Sequence, residues 1–413
     1  MLFNLSESSS ILWLYAERYL MGGTRSYSPY AELNEMDPIW HPDSNIHSFN
    51  VSCFWLEVSK NTCFLKNKSN NSNQPLINFY SPDKNRFLLP IHPATISLLP
   101  LPVQQRILNL IPGPSLTVSP TSSTRTLYVH NSNGLEKCPH HFLKLHFPGR
   151  ISRFIRSITP KDVIHQLWIS EQLQNENFPH LPDLCGGYTQ FEQEHSIGFL
   201  IRANYQDSSL TDSFFTIPGY SFYGIDKNSP NDPPLLAQLP YFFKETVKDF
   251  VVNRIILPLV NLWIKIVKNL GVIPELHGQN VLFCFSRCCS VSSIHFRDSD
   301  LFIDNRIRHK LNKSSCPINI DKLDYESEIT TEQILSLSYD GFLVHHFLSM
   351  IATCVRDWFG IPVSVFREAT VKAFRNAGGD LYLTSKKIYH YDNQLRLNGQ
   401  FNLIEQTSFD LWR

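Results

Sequence analysis

Apolar residues recur along this chain with two different periods, and the switches between them outline its elements. Residues 86–90, 115–118, 126–130, 141–147 and 196–203 are short apolar or alternating runs bounded by turn-forming residues, which predicts β-strands, with the loop 119–125 joining two of them. Helical spacing takes over after Pro160, where Val163, Leu167, Ile169 and Leu173 share one face. A longer helical stretch covers 242–270 and carries Val247, Phe250, Val251, Ile255, Val260 and Ile264 on its apolar side. Pro258 is expected to kink or split it, and Gly271 to end it. Strand patterns return at 281–285 and 293–296 as a predicted hairpin. Two further helices, 331–355 and 363–376, follow, with Gly378 and Gly379 as a stop.

Residues 1–80 read as a small N-terminal region that ends in the polar loop 66–75. A chain of 413 residues buries a large core and divides into subdomains. Its longest apolar segment, 251–270, contains Arg254, Lys265 and Lys268, so an amphipathic core helix is expected there rather than a membrane span. Lys plus Arg and Asp plus Glu number 37 each, and a surface without net charge does not favour nucleic acid or an anionic membrane as main partner. The nine cysteines show no framework spacing and predict reduced thiols in a cytoplasmic protein. Cys284, Cys288 and Cys289, with the run Cys138-Pro139-His140-His141, lack the second Cys-x-x-Cys of a metal-cluster site. The N-terminus has no basic n-region, so no secretory signal is expected.

Candidate chemistry concentrates in the turn Glu275-Leu276-His277-Gly278-Gln279-Asn280, which leads directly into a predicted strand. Glu275, His277 and Asn280 can converge on a nucleotide phosphate or its Mg²⁺, and Asp298, beyond the partner strand, adds a hard oxygen ligand. Upstream, Ser123, Arg125 and Thr126 lie on a tight loop whose hydroxyls and guanidinium suit phosphate oxygens. Lys144 and Arg156 project from segments that otherwise read as buried. A buried cation is costly unless paired, so each requires a phosphate, a substrate carboxylate or a structural salt bridge.

Taken in order, these segments resemble the synthetases that build siderophores without a nonribosomal peptide template, the aerobactin-synthetase or NIS family. That family carries Pro-Thr-x-Ser-x-Arg-Thr, matched by Pro120 to Thr126, and Glu-x-His-Gly-Gln-Asn followed by Arg-Asp, matched by Glu275 to Asn280 and by Arg297-Asp298. Between them it has a Lys and an Ile-Thr-Ser-x-x-Arg-like segment. Lys144 and Arg156 keep that separation, with Ser152 in place of Thr and Arg153 in place of Ser. Pro90-Ile91-His92-Pro93 resembles the start of a His-Pro-Trp-Gln element, with Ala94 and Thr95 substituted, and His41-Pro42 is the candidate for a further upstream element. The chain is a shortened and divergent version of the pattern.

The resemblance implies an α+β cupped hand. Its regions are a reduced thumb over 1–80, a fingers-like region over 81–190 with the Ser-Arg-Thr loop, and a distantly kinase-like palm over 191–413. It implies ATP and Mg²⁺, adenylation of a citrate-like carboxylic acid with release of pyrophosphate, and condensation with an amine or alcohol. Ser123, Arg125, Thr126, Lys144 and Gln279 would hold ATP, and Glu275, Asn280 and Asp298 the metal. His277 and Arg156 would serve as catalytic residues on the acid. The expected partners are therefore a small carboxylate and an amine, without nucleic acid or membrane, in a homodimer. Two alternatives stay open: a catalytically weakened relative that binds a nucleotide or carboxylate without turnover, and a small-molecule kinase. The kinase reading lacks His-Arg-Asp, Asp-Phe-Gly and a Gly-rich loop.

Overall fold

The computed structural model describes residues 9–24, 28–68, 74–133, 138–192, 195–204, 215–241, 243–286, 291–318, 322–323, 329–395 and 401–413. Residues 69–73 of the predicted polar loop, Phe242 at the start of the predicted long helix, and Cys288 and Cys289 lie outside these. The chain forms two compact units. A sheet unit comprises Pro29–Ser209 and Asp298–Asp300, and a helical unit comprises Met1–Ser28, Leu210–Arg297 and Leu301–Arg413.

Among its described residues the sheet unit has ten strands: β1 (Phe49–Glu57), β2 (Thr62–Lys66), β3 (Arg86–Ile91), β4 (Ile111–Pro120), β5 (Thr126–Asn133), β6 (His141–Leu145), β7 (Phe147–Ile151), β8 (Phe154–Arg156), β9 (Asp183–Glu192) and β10 (His195–Arg202). Eight of them form one antiparallel sheet in the order β2-β9-β10-β6-β5-β4-β1-β3, while β7 and β8 pair as a separate ribbon. The predicted strand 141–147 is broken at His146. Its carbonyl accepts from Thr95 Oγ1 (2.6 Å) and its Nδ1 from the amide of Ile158 (3.0 Å), so its polar groups are satisfied off the ladder. Residues 49–66, read from sequence as part of the N-terminal region, supply β1 and β2 to this sheet.

The helix Pro160–Asn175 begins with a reciprocal cap. Thr159 Oγ1 accepts from the amide of Asp162, whose carboxylate accepts from the amide of Thr159. Its Val163 and Leu167 pack against Leu200 and Ile158. Gly186 and Gly198 let the helix approach closely, since a Cβ on either would come within 3.1 or 3.0 Å of Val163.

The helical unit has at its centre the helix Val247–Leu270, continuous across Pro258. The missing N–H and the ring of Pro258 are accommodated by a π-helical stretch, Val251–Ile256, so the expected kink or split becomes a change of helical pitch. Gly271, at φ +60°, ends it with its amide on the carbonyl of Val267 (2.9 Å). Arg254, Lys265 and Lys268 are exposed, whereas Val260, Trp263 and Val267 are fully buried, the amphipathic pattern expected. The helix Thr331–Phe359 also contains a π-helical stretch, Leu337–Leu348. Both helices are long and apolar enough to cross a membrane, but 61% and 83% of their apolar windows are buried inside the protein, as in core helices. Trp263 Nε1 donates to Ser338 Oγ (2.8 Å) and fastens one to the other. The helix Val363–Asn376 matches its predicted bounds. A small sheet orders β11 (Phe215–Pro218), β13 (Val281–Phe285) and β14 (Val291–Phe296), with β12 (Val272–Ile273) in a separate sheet.

Candidate active site

In the helical unit, the turn before β13 alternates half-buried Glu275, His277 and Gln279 with buried Leu276, Gly278 and Asn280. The carbonyl of His277 accepts from the amides of Asn280 (2.9 Å) and Val281 (3.0 Å), which closes the turn. His277 Nδ1 accepts from the amide of Gln279 (3.2 Å), so a neutral ring carries its proton on Nε2. Asn280 Nδ2 donates to the carbonyl of Glu275 (3.2 Å), leaving the side-chain oxygen without a partner among the described residues. In the β13–β14 hairpin Val281 pairs with Phe296, which sets Arg297 opposite Asn280. The amide of Arg297 donates to the carbonyl of Asn280 (2.9 Å), its Nε to that of Gln279 (3.0 Å), and its Nη1 pairs with buried Glu17 at 2.5 Å. The motif turn is thus clamped from two sides.

In the sheet unit, the loop after β4 folds on itself through Thr121 and Thr126, with Ser123 Oγ accepting from the amide of Thr126 (3.1 Å). Thr124 sits at φ +65°, a conformation that a β-branched residue adopts only under strain. The loop ends in Arg125, which is 7% exposed and donates through Nη1 to the carbonyl of Arg156. No acid pairs with Arg125 among the described residues. Burial, and then the charge of Arg156, push its guanidinium down to about 10 against the opposing pull of Asp300, Asp298 and Asp162. Arg156 Nε in turn donates to the carbonyl of Ile151 (3.1 Å).

Lys144 on β6 is partnered. Its Nζ donates to Gln166 Oε1 and Asp298 Oδ1, each at 2.8 Å, and stands 4.0 Å from Asp300 Oδ2. Of the resolutions open to this buried cation, the structure contains the salt bridge. Asp298 Oδ1 also accepts from Arg202 Nη2 (3.4 Å) and from the amide of Asp300 (3.4 Å). That leaves Oδ2 open on a carboxylate whose side chain is 29% exposed. Burial opposes ionisation of Asp298, but the charges of Lys144 and Arg202 outweigh it and hold the carboxyl well below the usual range. Asp298 is itself at φ +80°. Of the five non-glycine residues in the left-handed region among the described residues, Thr124, Ser152 and Asp298 lie in motif segments.

No protein-family model matches this sequence, and no curated protein matches it. Solved structures do. The petrobactin biosynthesis protein AsbB of Bacillus anthracis str. Sterne superposes with a TM-score of 0.71 at 15% identity, covering 97% of this chain and 74% of AsbB. ATP-bound aerobactin synthetase IucA from hypervirulent Klebsiella pneumoniae gives 0.66 at 14% identity, covering 90% of this chain and 70% of IucA. The fold is that of the siderophore synthetases. Aerobactin synthetase IucC from the same pathotype agrees, at 0.61, 12% identity, and 85% and 67% coverage.

Within this siderophore-synthetase fold the predicted residues fall into two sets. Ser123, Arg125, Thr126, Lys144, Arg156 and Asp298 belong to the sheet unit, and Glu275, His277, Gln279 and Asn280 to the helical unit. His92 and His41 have structural partners. His92 Nδ1 caps the turn of Pro93–Ile96 through the amide of Ala94, and His41 Nε2 donates to the carbonyl of Met36. Among the described residues no three of His, Cys, Asp or Glu are placed to hold a metal, and the described cysteines form no disulfide with one another. The sequence reading missed Arg202, whose Nε pairs with fully buried Asp183 at 2.8 Å, and also Gln166, Asp300 and Glu17. The argument applied to Lys144, a cation in an apolar strand, finds Arg202 as well.

Proposed function

We propose that this chain is an ATP-dependent synthetase of siderophore biosynthesis, which adenylates a citrate-like carboxylic acid and condenses it with an amine or alcohol. The supporting observation is Arg125, a buried guanidinium in no salt bridge among the described residues, at the end of a strained loop of the family's phosphate-binding pattern. Asp300, Asp298 and Asp162 offset its charge without direct contact, and a bound phosphate would supply the charge-assisted hydrogen bonds that the guanidinium lacks. The similarity of the fold to an ATP-bound synthetase points the same way.

In this reading Ser123, Arg125, Thr126, Lys144 and Gln279 hold ATP, and Arg156 and His277 anchor the acid. The same reading assigns Mg²⁺ to Glu275, Asn280 and Asp298, of which Asp298 keeps an open carboxylate oxygen and Asn280 an open amide oxygen, hard donors of the type this ion takes. When bound, the ion would neutralise phosphate charge. The thumb, fingers and palm regions, over 1–80, 81–190 and 191–413, belong to the same proposal. A second reading, binding without turnover, is favoured by Lys144, whose ammonium is already engaged by Asp298 and Gln166.

The test is purified protein with ATP, Mg²⁺, citrate and hydroxylamine as surrogate nucleophile. Pyrophosphate and a hydroxamate are expected. ATP binding without pyrophosphate from any acid would establish the binding-only reading, and ADP as product would make the protein a kinase.

A further inference from the structure

The helix Ser9–Tyr19 lies outside every motif segment, yet it belongs to the helical unit that contains the turn 275–280. Three kinds of contact seat it independently of that turn. Leu12, Trp13, Ala16 and Leu20 are buried, Tyr15 Oη donates to the carboxylate of Asp226 (2.8 Å), and Gly22, just beyond the helix, pairs with Ile225 through two backbone hydrogen bonds of 3.2 and 2.9 Å.

So seated, the helix turns Glu17 inward. The carboxylate is fully buried; its Oε1 meets Arg297 Nη1 at 2.5 Å, and its Oε2 accepts from Tyr220 Oη at 3.5 Å. Each of these partners also holds the backbone of the turn. Arg297 Nε donates to the carbonyl of Gln279 (3.0 Å), and the amide of Tyr220 donates to that of Gly278 (3.0 Å). One carboxylate therefore ties together two arms that end on consecutive carbonyls of the motif turn, and the amide of Arg297 takes the next carbonyl, that of Asn280 (2.9 Å).

Stability alone does not account for this ion pair. Arg297 is only 6% exposed, and the desolvation of a buried pair commonly cancels its attraction, so apolar side chains of similar volume would hold the fold as well. What they cannot do is donate to a carbonyl. Holding the turn takes a guanidinium, and a buried guanidinium requires an anion.

We infer that Glu17 is a positioning residue, which anchors Arg297 and Tyr220 so that they fix the turn in the conformation in which Gln279 and Asn280 meet their ligand. The inference rests on the proposed synthetase reading for the identity of that ligand, ATP with Mg²⁺, and adds to the site a residue from outside the motifs.

The test compares Glu17→Gln, Glu17→Asp and the apolar pair Glu17→Leu with Arg297→Leu against the wild type, by amide hydrogen exchange and by calorimetric titration of ATP with Mg²⁺. In the wild type the amides of Asn280, Val281 and Arg297 are hydrogen-bonded in the turn and its clamp, and they should exchange slowly. Glu17→Gln keeps the shape and removes the charge. It should speed their exchange by roughly ten- to a hundredfold, the worth of a charged hydrogen bond, with the helix Val363–Asn376 unchanged. ATP affinity should fall by a similar factor, and Glu17→Asp should recover part of both. The apolar pair separates positioning from packing, because it should melt close to the wild type and still show fast exchange and weak binding. An apolar pair that fails to fold, or that regains wild-type exchange, makes the ion pair structural and overturns the inference. Unchanged exchange in a folded Glu17→Gln overturns it as well, and if Glu17→Gln does not fold the apolar pair decides. A wild type that binds no ATP overturns the synthetase reading instead, and the exchange rates still decide the role of Glu17.

Discussion

Arg125 carries its charge where little water reaches it, and the strained Thr124 before it fixes where that charge stands. Arg125→Ala should therefore weaken ATP binding by roughly ten- to a hundredfold, about 1.5–3 kcal/mol. Arg125→Lys should recover only part of the affinity, because an ammonium cannot reproduce the fork that spans two phosphate oxygens. Calorimetric titration of ATP into each variant checks both outcomes, and wild-type affinity in Arg125→Ala would remove this loop from the site. Lys144 differs in kind. Its removal strands Asp298 as well as deleting a cation, so its variants mix folding with binding.

At the scale of elements, the turn 275–280 depends on the absence of a side chain at Gly278. A Cβ there would lie 2.5 Å from Tyr223 Oη and 3.1 Å from the amide nitrogen of Tyr220, which donates to the carbonyl of Gly278 (3.0 Å). Gly278→Ala should destabilise the helical unit by about 1–3 kcal/mol, the usual range for overpacking. Urea unfolding followed by tryptophan fluorescence would report it, and an unchanged midpoint would show that the turn has slack. Local pattern made the strand at 281–285, the helix at 363–376, the helix start at Pro160 and the Gly271 stop legible, because period and end signals act within a few residues. The π-helical stretches were not legible, because a helix of altered pitch keeps nearly the same apolar spacing. The site divides in the same way. Arg125 and the turn residues announce themselves by local chemistry. The partners of Lys144, Arg202 and Arg297 are Asp298, Asp183 and Glu17, and those of Lys144 and Arg297 lie far along the chain, where only the fold brings them together.

For the whole molecule, the balance of 37 basic and 37 acidic residues leaves 16 histidines to set the response to mild acid. Several are buried and neutral. Burial takes His141 and His146 of the sheet unit, and His345 and His390 of the helical unit, down to about 4, and His92 to about 3. In the unfolded chain these rings titrate at roughly 6.5, so between that pH and about 4 the unfolded state binds protons that the folded state refuses. Their stabilising contribution is therefore complete above roughly pH 6.5 and is lost as pH falls toward 4. Each such ring weighs against the folded state in acid by an amount on the order of a few kcal/mol, which is sizeable beside the roughly 5–15 kcal/mol that typically holds a domain folded. Asp298, held below the usual carboxylate range, adds a loss of the same sign at lower pH still. Both units contain such histidines, so both should lose stability and unfold between about pH 6 and 4. Circular dichroism and tryptophan fluorescence followed from pH 8 to 3 would show the transition, and native signals that persist at pH 3.5 would mean that these rings find proton-accepting partners in the folded chain.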